Sequence, residues 1–189
     1  MRQLRLKTTD ARANSAEARS QAEHPSLQAF EAEFDYLMRT LRRLGVGAAD
    51  LEDLAHEVFL VLYRTWEKYD PQRPLRAYLF GIAFRVAANH GRKRRREVVL
   101  PVMDFDDRAP GPERAFESSE ARALVLMALE RVPLPRRAVL LMHDIDQLPM
   151  AEIAANLGIR RFTGYSRLRK GRQELTAAVN ALLRGAGPQ

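Results

Sequence analysis

Cationic and hydroxyl side chains crowd one short stretch near the C-terminal end of the chain, where they could bind a polyanion. Arginine and lysine bind phosphate, and together with short hydroxyls they hydrogen-bond to base edges in DNA grooves. At helical spacing, Thr163, Ser166 and Lys170 share one face, with Tyr165 and Arg169 beside them. The other cations of this stretch are Arg160, Arg161, Arg167 and Arg172. The pattern indicates nucleic-acid binding.

A tight corner is predicted immediately before this basic stretch. Gly158 supplies a left-handed helix C-cap, Ile159 fills the corner, and the next helix begins near Arg161. Such a corner lets the second helix lie in a DNA major groove. The alternative is an ordinary helical corner with a solvated basic face, but the coincidence of corner and charges favours DNA reading. The inward-facing residues of the short first helix are Ile153, Ala154 and Leu157.

Two glycines, Gly164 and Gly171, interrupt the apolar seam of the second helix of this corner. Each costs roughly 1 kcal/mol of helix propensity relative to alanine and removes packing volume. The sequence leaves two explanations open: the helix approaches its neighbour unusually closely, or it is less rigid than most recognition helices.

Catalytic chemistry is not predicted for this chain. The chain has no cysteine, which excludes disulfides, thiolate metal sites and a cysteine nucleophile. His56 and Glu57 are followed by Leu60 where the zinc-protease motif requires a second histidine, and no phosphate-cradling glycine loop is present. The other histidines are scattered: His24, His90 and His143. We expect no enzymatic activity, no cofactor and no metal.

The composition indicates an anionic partner. The 189 residues carry a formal net charge of +7, and the sequence pI is about 10.2. Such a charge favours nucleic acid or an acidic membrane surface. No apolar run approaches the roughly 20 residues that a membrane span needs. The basic N-terminus lacks the apolar segment of a signal peptide. The sequence therefore predicts a cytoplasmic, soluble protein without membrane insertion.

Helical periodicity divides the chain into parts. We predict a mobile N-terminal tail at 1–25, a helical domain at 26–97, an acidic linker rich in proline and glycine at 98–118, and a second helical domain at 119–184. No β-alternation of useful length appears. The predicted fold class is all-α: two small helical domains joined by a flexible linker, the second containing the helix-turn-helix.

Within the first domain, apolar spacing predicts three helices. The first starts near Ser26 and is ended by Gly45 and Gly47, and the second has Asp50 as its N-cap and runs to about Lys68. The third starts at Pro74, and a row of polar residues lies beside its apolar face: Arg85, Asn89, Arg92 and Arg96. In the second domain, four helices are predicted over 121–132, 135–146, 149–157 and 161–183.

Two blocks of the sequence resemble the extracytoplasmic-function sigma factors. The segment Asp50-Leu-Glu-Asp-Leu-Ala-His-Glu-Val-Phe59, with Leu62-Tyr63, Trp66 and Tyr69 and then Leu75-Arg-Ala-Tyr-Leu-Phe-Gly-Ile-Ala83, closely resembles region 2 of that family. The segment from Leu134-Pro-Arg-Arg through Ala151-Glu-Ile-Ala-Ala-Asn-Leu-Gly158 to Ser166-Arg-Leu168 resembles region 4. The two blocks stand in the family order and cover most of residues 27–183.

The resemblance implies a sigma factor that joins core RNA polymerase, places it on promoter DNA and is held in check by an anti-sigma factor. Three residues would dock on the polymerase clamp helices: Asp53, Glu57 and Phe59. The minus-10 element would be contacted by Asp70, Arg73, Arg76, Arg85, Asn89 and Arg92, with the loop from Asp70 to Pro74 capturing a flipped base. The minus-35 element would be contacted by His143, Arg160, Arg161, Thr163, Tyr165, Ser166, Arg169 and Lys170.

The chain departs from the family pattern at a few positions. His56 stands where glutamine is usual, Tyr165 where lysine or arginine is common, and Gly164 where valine is common. Two other hypotheses therefore stay open: a helix-turn-helix regulator that acts without joining polymerase, and a sigma-like protein that binds polymerase without choosing promoters. Symmetry separates the first from a sigma factor, because such regulators usually dimerise on palindromic sites.

The predicted linker is long enough for promoter binding. Its 22 positions from 97 to 118 could span about 70 Å at roughly 3.3 Å per residue. Promoter elements about 25 base pairs apart are separated by about 85 Å at ~3.4 Å per pair. The radii of two small domains make up the difference.

Overall fold

A computed structural model describes residues 24–97 and 113–185 of the chain, and these residues form helices and turns without any strand. The all-helical prediction is confirmed, with two helical modules on either side of residues 98–112. The predicted tail, up to residue 23, and most of the predicted linker lie outside the described residues. The helices are α1 (Pro25–Ala32), α2 (Phe34–Arg43), α3 (Leu51–Thr65), α4 (Leu75–Glu97), α5 (Glu113–Glu130), α6 (Leu134–Leu140), α7 (Met150–Leu157) and α8 (Arg161–Gly185).

The first predicted helix is two helices in the structure. α1 ends at Ala32 and α2 begins at Phe34, because Glu33 adopts φ −110° and ψ 11° between them. The apolar spacing continues across the break, which is why periodicity alone predicted one helix. The change of direction lets α1 pack against α3, while α2 packs against both α3 and α4.

Gly45 ends α2 as predicted, at a φ of +88°. The amide of Gly45 donates to the carbonyl of Arg42, and the amide of Val46 donates to that of Leu41. These two hydrogen bonds form the Schellman motif, in which glycine adopts the left-handed conformation at the end of the helix.

Asp50 occupies the N-cap position of α3, as predicted. Asp50 closes a short 3-10 turn over Ala48–Asp50, and its side chain makes no cap hydrogen bond. Its Oδ2 lies 3.2 Å from Nε2 of His90 and 3.4 Å from Nη1 of Arg94, both on α4. The carboxylate therefore ties the start of α3 to the C-terminal half of α4, a contact that local spacing cannot indicate.

Each module buries its own apolar seam. In the first, α2, α3 and α4 enclose fully buried side chains that include Leu41, Leu62 and Phe80. In the second, α5, α6 and α7 pack around α8, and Met142, Ile153 and Leu168 lie between them. A π-helical turn over Leu141–Ile145 joins α6 to α7. α5 begins at Glu113, before the predicted start at Ala121; residues 113–120 contain neither glycine nor proline.

The two modules also contact each other, and their cores form one continuous apolar cluster. Oη of Tyr36 on α2 donates to Oδ2 of Asp146 at 2.7 Å. Gly45 packs so closely on Arg137 that an added Cβ would lie 2.3 Å from its Nη1. The sequence did not predict this contact. Among the described helices, none is long and apolar enough to cross a membrane.

Candidate nucleic-acid interface

The helix-turn-helix forms where it was predicted. α7 ends at Gly158, which has a φ of +64° in the left-handed region. The amide of Ile159 donates to the carbonyl of Ala154 at 2.9 Å, and its side chain packs against the core. α8 then begins at Arg161 and runs for 25 residues.

The two seam glycines of α8 mark close approaches to neighbouring helices. A Cβ at Gly164 would lie 2.3 Å from Sδ of Met150 on α7, and a Cβ at Gly171 would lie 3.3 Å from the carbonyl oxygen of Arg136 on α6. Both glycines are buried. Of the two explanations that the sequence left open, close approach is the one the structure supports.

The outward face of α8 carries the residues predicted to read the minus-35 element. Arg160, just before α8, is exposed, as are Arg161, Tyr165, Arg169 and Lys170, whereas Thr163 and Ser166 are half-buried. The buried seam lies on the opposite side of the helix. These predicted side chains therefore form one surface that a polyanion could approach.

His143 lies on the π-helical turn, beside α8. Its Nδ1 is 2.8 Å from Oδ1 of Asp144 and 3.4 Å from Nη2 of Arg172. Arg172 donates two hydrogen bonds to Asp144, at 2.9 Å from Nε and 2.5 Å from Nη2. These bonds from Arg172, with a smaller contribution from His143, hold the pKa of Asp144 below its usual value. The network fixes His143 next to the basic surface.

A concavity of about 270 Å³ opens between the start of α8 and α6. Phe162 and Arg136 were not predicted to belong to the site, and Arg167 was predicted only as one cation of the basic stretch, although all three line the concavity. Arg136 is paired with Glu174 of α8. The signal that could have identified Phe162 is an aromatic residue at an outward position of the recognition helix. The complete lining is Arg136, Phe162, Thr163, Ser166, Arg167 and Lys170.

The loop of the first module that was predicted to capture a base is ordered by its own hydrogen bonds. The amide of Gln72 donates to Oδ1 of Asp70 at 2.9 Å, and Oη of Tyr69 donates to the carbonyl of Arg73 at 2.8 Å. Asp70 and Arg73 are exposed. Nε of Arg76 donates to Oε2 of Glu33 at 2.8 Å. Two predicted residues are therefore already engaged: Asp70 in the turn and Arg76 in an ion pair.

Arg85, Asn89 and Arg92 form an exposed row along α4. Arg92 donates to Oδ1 of Asn89. Nη1 of Arg85 reaches 3.5 Å from the carbonyl oxygen of Asn156 on α7, so one end of the row faces the second module. The side chain of Arg96 lies outside the described part of the chain.

A third surface, on α3 and α1, combines acidic and aromatic side chains. Asp53 and Glu57 are exposed, and Phe59, further along the same helix, is half-buried. The ring of Phe59 is 5.0 Å from that of Phe30 and 6.3 Å from that of Tyr63, centroid to centroid. Phe30 and Tyr63 were not predicted to belong to this surface. Within residues 24–97 and 113–185, no three His, Asp or Glu side chains converge as metal ligands would.

Two family models match the chain, one in each module. Residues 29–97 match sigma-70 region 2, and residues 122–175 match sigma-70 region 4. The chain is 30% identical over 151 residues to the RNA polymerase sigma-E factor of Streptomyces coelicolor, covering 76% of this chain and 81% of that protein. It is 31% identical over 145 residues to the ECF RNA polymerase sigma factor SigE of Mycolicibacterium smegmatis. That match covers 75% of this chain but only 56% of the relative.

Solved structures show the same fold. CnrH in complex with the cytosolic domain of CnrY matches at a TM-score of 0.59 and 22% identity, covering 88% of this chain and 94% of that one. The sigma factor RpoE in complex with the anti-sigma factor NepR from Bartonella quintana also matches at a TM-score of 0.59, with 19% identity, covering 81% and 98%. At these identities the likeness concerns the fold alone.

Proposed function

Because the chain belongs to the extracytoplasmic-function sigma factors of the sigma-70 family, we propose that it directs core RNA polymerase to promoters. One module would read the minus-10 element and the other the minus-35 element. The observation that carries the proposal is the presence, in one chain, of a helix-turn-helix with a basic outward face and a second module with its own exposed Arg-Asn-Arg row. A regulator that acts without polymerase does not need the second module.

We propose the domain assignment 26–97 for the region 2 module and 119–184 for the region 4 module, with 98–118 as the tether, whose last six residues form the start of α5. In the region 2 module, the exposed carboxylates of Asp53 and Glu57 and the ring of Phe59 would bind the polymerase clamp helices. The half-exposed Tyr63 extends this surface with a further ring. Aromatic rings and exposed carboxylates on the same helix are a composition that suits a protein-docking surface.

DNA contacts are proposed for two sets of side chains. The minus-10 element would be bound by Asp70, Arg73, Arg76, Arg85, Asn89 and Arg92. The minus-35 element would be bound by His143, Arg160, Arg161, Thr163, Tyr165, Ser166, Arg169 and Lys170. Cations would supply salt-dependent affinity for phosphates, while hydroxyls and forked guanidinium groups would read base edges.

Sigma factors are DNA-binding regulators rather than enzymes. We propose that this chain carries out no bond chemistry and works in the cytoplasm, where polymerase and promoters are found. One structural neighbour was solved with an anti-sigma factor. By analogy, an anti-sigma factor is the proposed negative regulator of this chain.

In vitro transcription from a library of random promoter sequences tests the proposal, with purified core polymerase and the full chain. Transcripts that depend on the chain and share two spaced elements are the expected result. If the chain binds core polymerase but selects no promoters, promoter choice has been lost. If it binds duplex DNA without joining core polymerase, the regulator hypothesis replaces the proposal.

A matched pair of arginines on α8 sharpens the test. Arg169→Ala removes a cation from the outward face near the start of the helix, and Arg184→Ala removes an exposed cation from its far end. Arg169→Ala should weaken promoter binding and reduce the slope of log affinity against log salt by about 1, because one phosphate contact is lost. Arg184→Ala should leave both unchanged. Equal effects of the two would contradict a DNA interface at the start of α8.

A further inference from the structure

Phe162 is the most exposed large hydrophobic side chain in the described part of the protein, with 84% of its surface accessible. It lies in the first turn of α8 and makes no aromatic contact with the rings described. Exposure of this phenyl ring does not stabilise the free protein, because burying a phenylalanine side chain is favourable by about 2 kcal/mol or more. The ring is therefore a candidate for contact with a binding partner.

The position of Phe162 places it among groups that suit DNA. With 3.6 residues per turn, Phe162, Ser166 and Arg169 fall on the same outward face of α8, opposite the buried Gly164 and Leu168. Phe162 also lines the concavity of about 270 Å³ whose other lining side chains are three cations and two hydroxyl residues. An exposed apolar ring thus lies beside hydrogen-bond donors and positive charge.

The DNA major groove offers a matching set of groups. Phosphates flank it, base edges present acceptors, and its main apolar feature is the C5-methyl group of thymine. We propose that Phe162 contacts a thymine methyl in the upstream promoter element and so helps to set its sequence. This inference rests on the proposed function, and it assigns a specificity role to a residue outside the family-derived set.

A protein partner fits these surroundings less well. The cores of protein interfaces are depleted in charge, and docking patches extend over several hundred Å² of apolar surface. Around Phe162 the concavity contributes Arg136, Arg167 and Lys170 instead. Tyr165, which is 58% exposed, is the nearest other exposed ring along the helix. A single ring among cations matches a methyl group between phosphates better than an apolar protein surface.

Removal of single methyl groups from the DNA tests the inference. In a promoter selected with the native protein, each thymine of the upstream element is replaced in turn by uracil, which lacks only the C5-methyl. Binding by the native holoenzyme should fall about fourfold at one thymine or at two adjacent ones, the factor that corresponds to one buried methyl group. With Phe162→Ala, the thymine promoter should bind about fourfold more weakly, and the substitution by uracil should have no further effect.

Leu183→Ala is the control, since Leu183 is a 56% exposed apolar residue at the other end of the same helix. It should keep the native response to uracil. The inference is overturned if Phe162→Ala retains the full response, if the selected element contains no thymine, or if the variant loses affinity for core polymerase without DNA. If the native chain selects no promoter at all, the proposed function fails, and that result is distinct from a promoter that is bound without methyl sensitivity.

Discussion

Arg137 shows how a single side chain can hold the end of a helix. It is buried, with 6% of its surface exposed, and has no carboxylate partner among the described residues. Its Nη2 donates to the carbonyls of Glu130 at 2.8 Å and Val132 at 3.0 Å, which lie at and just beyond the end of α5. Burial lowers its pKa to about 10, still high enough to keep the charge at neutral pH. The guanidinium therefore acts as a cationic C-cap.

Arg137→Met should destabilise the protein strongly. The methionine fills a similar volume but leaves the carbonyls of Glu130 and Val132 unpaired in a buried place, at a cost of about 2–4 kcal/mol. Urea unfolding followed by circular dichroism measures the loss. Arg131→Met, at an exposed arginine nearby, should change the unfolding free energy by less than about 0.5 kcal/mol. Equal losses for the two variants would show that the carbonyl contacts contribute little.

Gly164 and Gly91 are two helical glycines with opposite surroundings, one crowded and one open. Gly164→Ala places a Cβ 2.3 Å from Sδ of the buried Met150, and such overpacking costs about 1–3 kcal/mol, more than the ~1 kcal/mol gained in helix propensity. At Gly91, inside α4, an added Cβ meets nothing within 4 Å. Gly91→Ala should therefore stabilise the protein by about 0.5–1 kcal/mol.

Thermal unfolding of these variants gives the comparison, and a Met150→Ala background tests the cause. With the thioether removed, Gly164→Ala should stop destabilising and gain the helix-propensity benefit instead. If Gly164→Ala still lowers the stability in that background, the added Cβ clashes with the helix backbone rather than with Met150. The sequence indicated the importance of both seam glycines but could not identify Met150 as the neighbour, because that contact joins two helices.

At the scale of the element, the π-helical turn is held against α8 by the ion pair between Asp144 and Arg172. The pKa of Asp144 is lower in the folded protein than in the unfolded chain, mainly because Arg172 donates hydrogen bonds to its carboxylate. The ionised carboxylate therefore stabilises the fold above pH 3.8, and the stabilisation is lost as the pH falls through the lower, folded pKa.

Asp144→Asn should lower the melting temperature slightly at neutral pH, and the difference from the native protein should disappear as the pH falls below 3.8. The effect is small because solvent screens a pair whose arginine side chain is 54% exposed. Melting curves of both proteins between pH 7 and pH 3 measure it. Asp35→Asn, at an exposed acid on α2, serves as the control. A difference that persists in acid would assign the effect to packing of the amide rather than to charge.

The elements themselves were largely predictable because each depends on short-range patterns. Apolar periodicity located α4 and α8 to within a few residues. Gly45 and Gly158 marked the two helix ends at which the backbone adopts a positive φ. The break at Glu33 was missed because the apolar period runs through it. Asp50 occupies the predicted N-cap position, but its carboxylate contacts His90, a residue distant in sequence, instead of capping the helix. Contacts between residues far apart in the sequence determine such side-chain partners, and the local pattern of a single sequence does not predict those contacts.

The two modules contact each other in the structure, and this arrangement is incompatible with binding both promoter elements at once. Promoter elements about 25 base pairs apart are separated by about 85 Å. Modules of about 70 residues have radii of gyration near 11 Å, so a touching pair cannot reach both elements. The contact also engages Arg85, a proposed minus-10 residue, through the carbonyl of Asn156. Promoter binding therefore requires the modules to separate.

A disulfide between the modules tests this requirement. The chain has no native cysteine, so only the two introduced cysteines can pair within it. A Cβ built on Gly81 of α4 lies 3.9 Å from the Cβ of Asn156 on α7, within the range of about 3.5–4.5 Å found in disulfides. The oxidised Gly81→Cys, Asn156→Cys variant should be folded but unable to bind a selected promoter with core polymerase. Dithiothreitol should restore binding.

The single-cysteine variants separate the effect of the disulfide from that of the substitutions. Asn156→Cys removes a hydrogen bond to the carbonyl of Glu152, and Gly81→Cys adds bulk inside α4, but neither alone can join the modules. Both should bind the promoter equally well with and without oxidant. If the oxidised double variant bound and initiated normally, the modules could serve both promoter elements while touching, and the DNA between those elements would have to bend to bring them together.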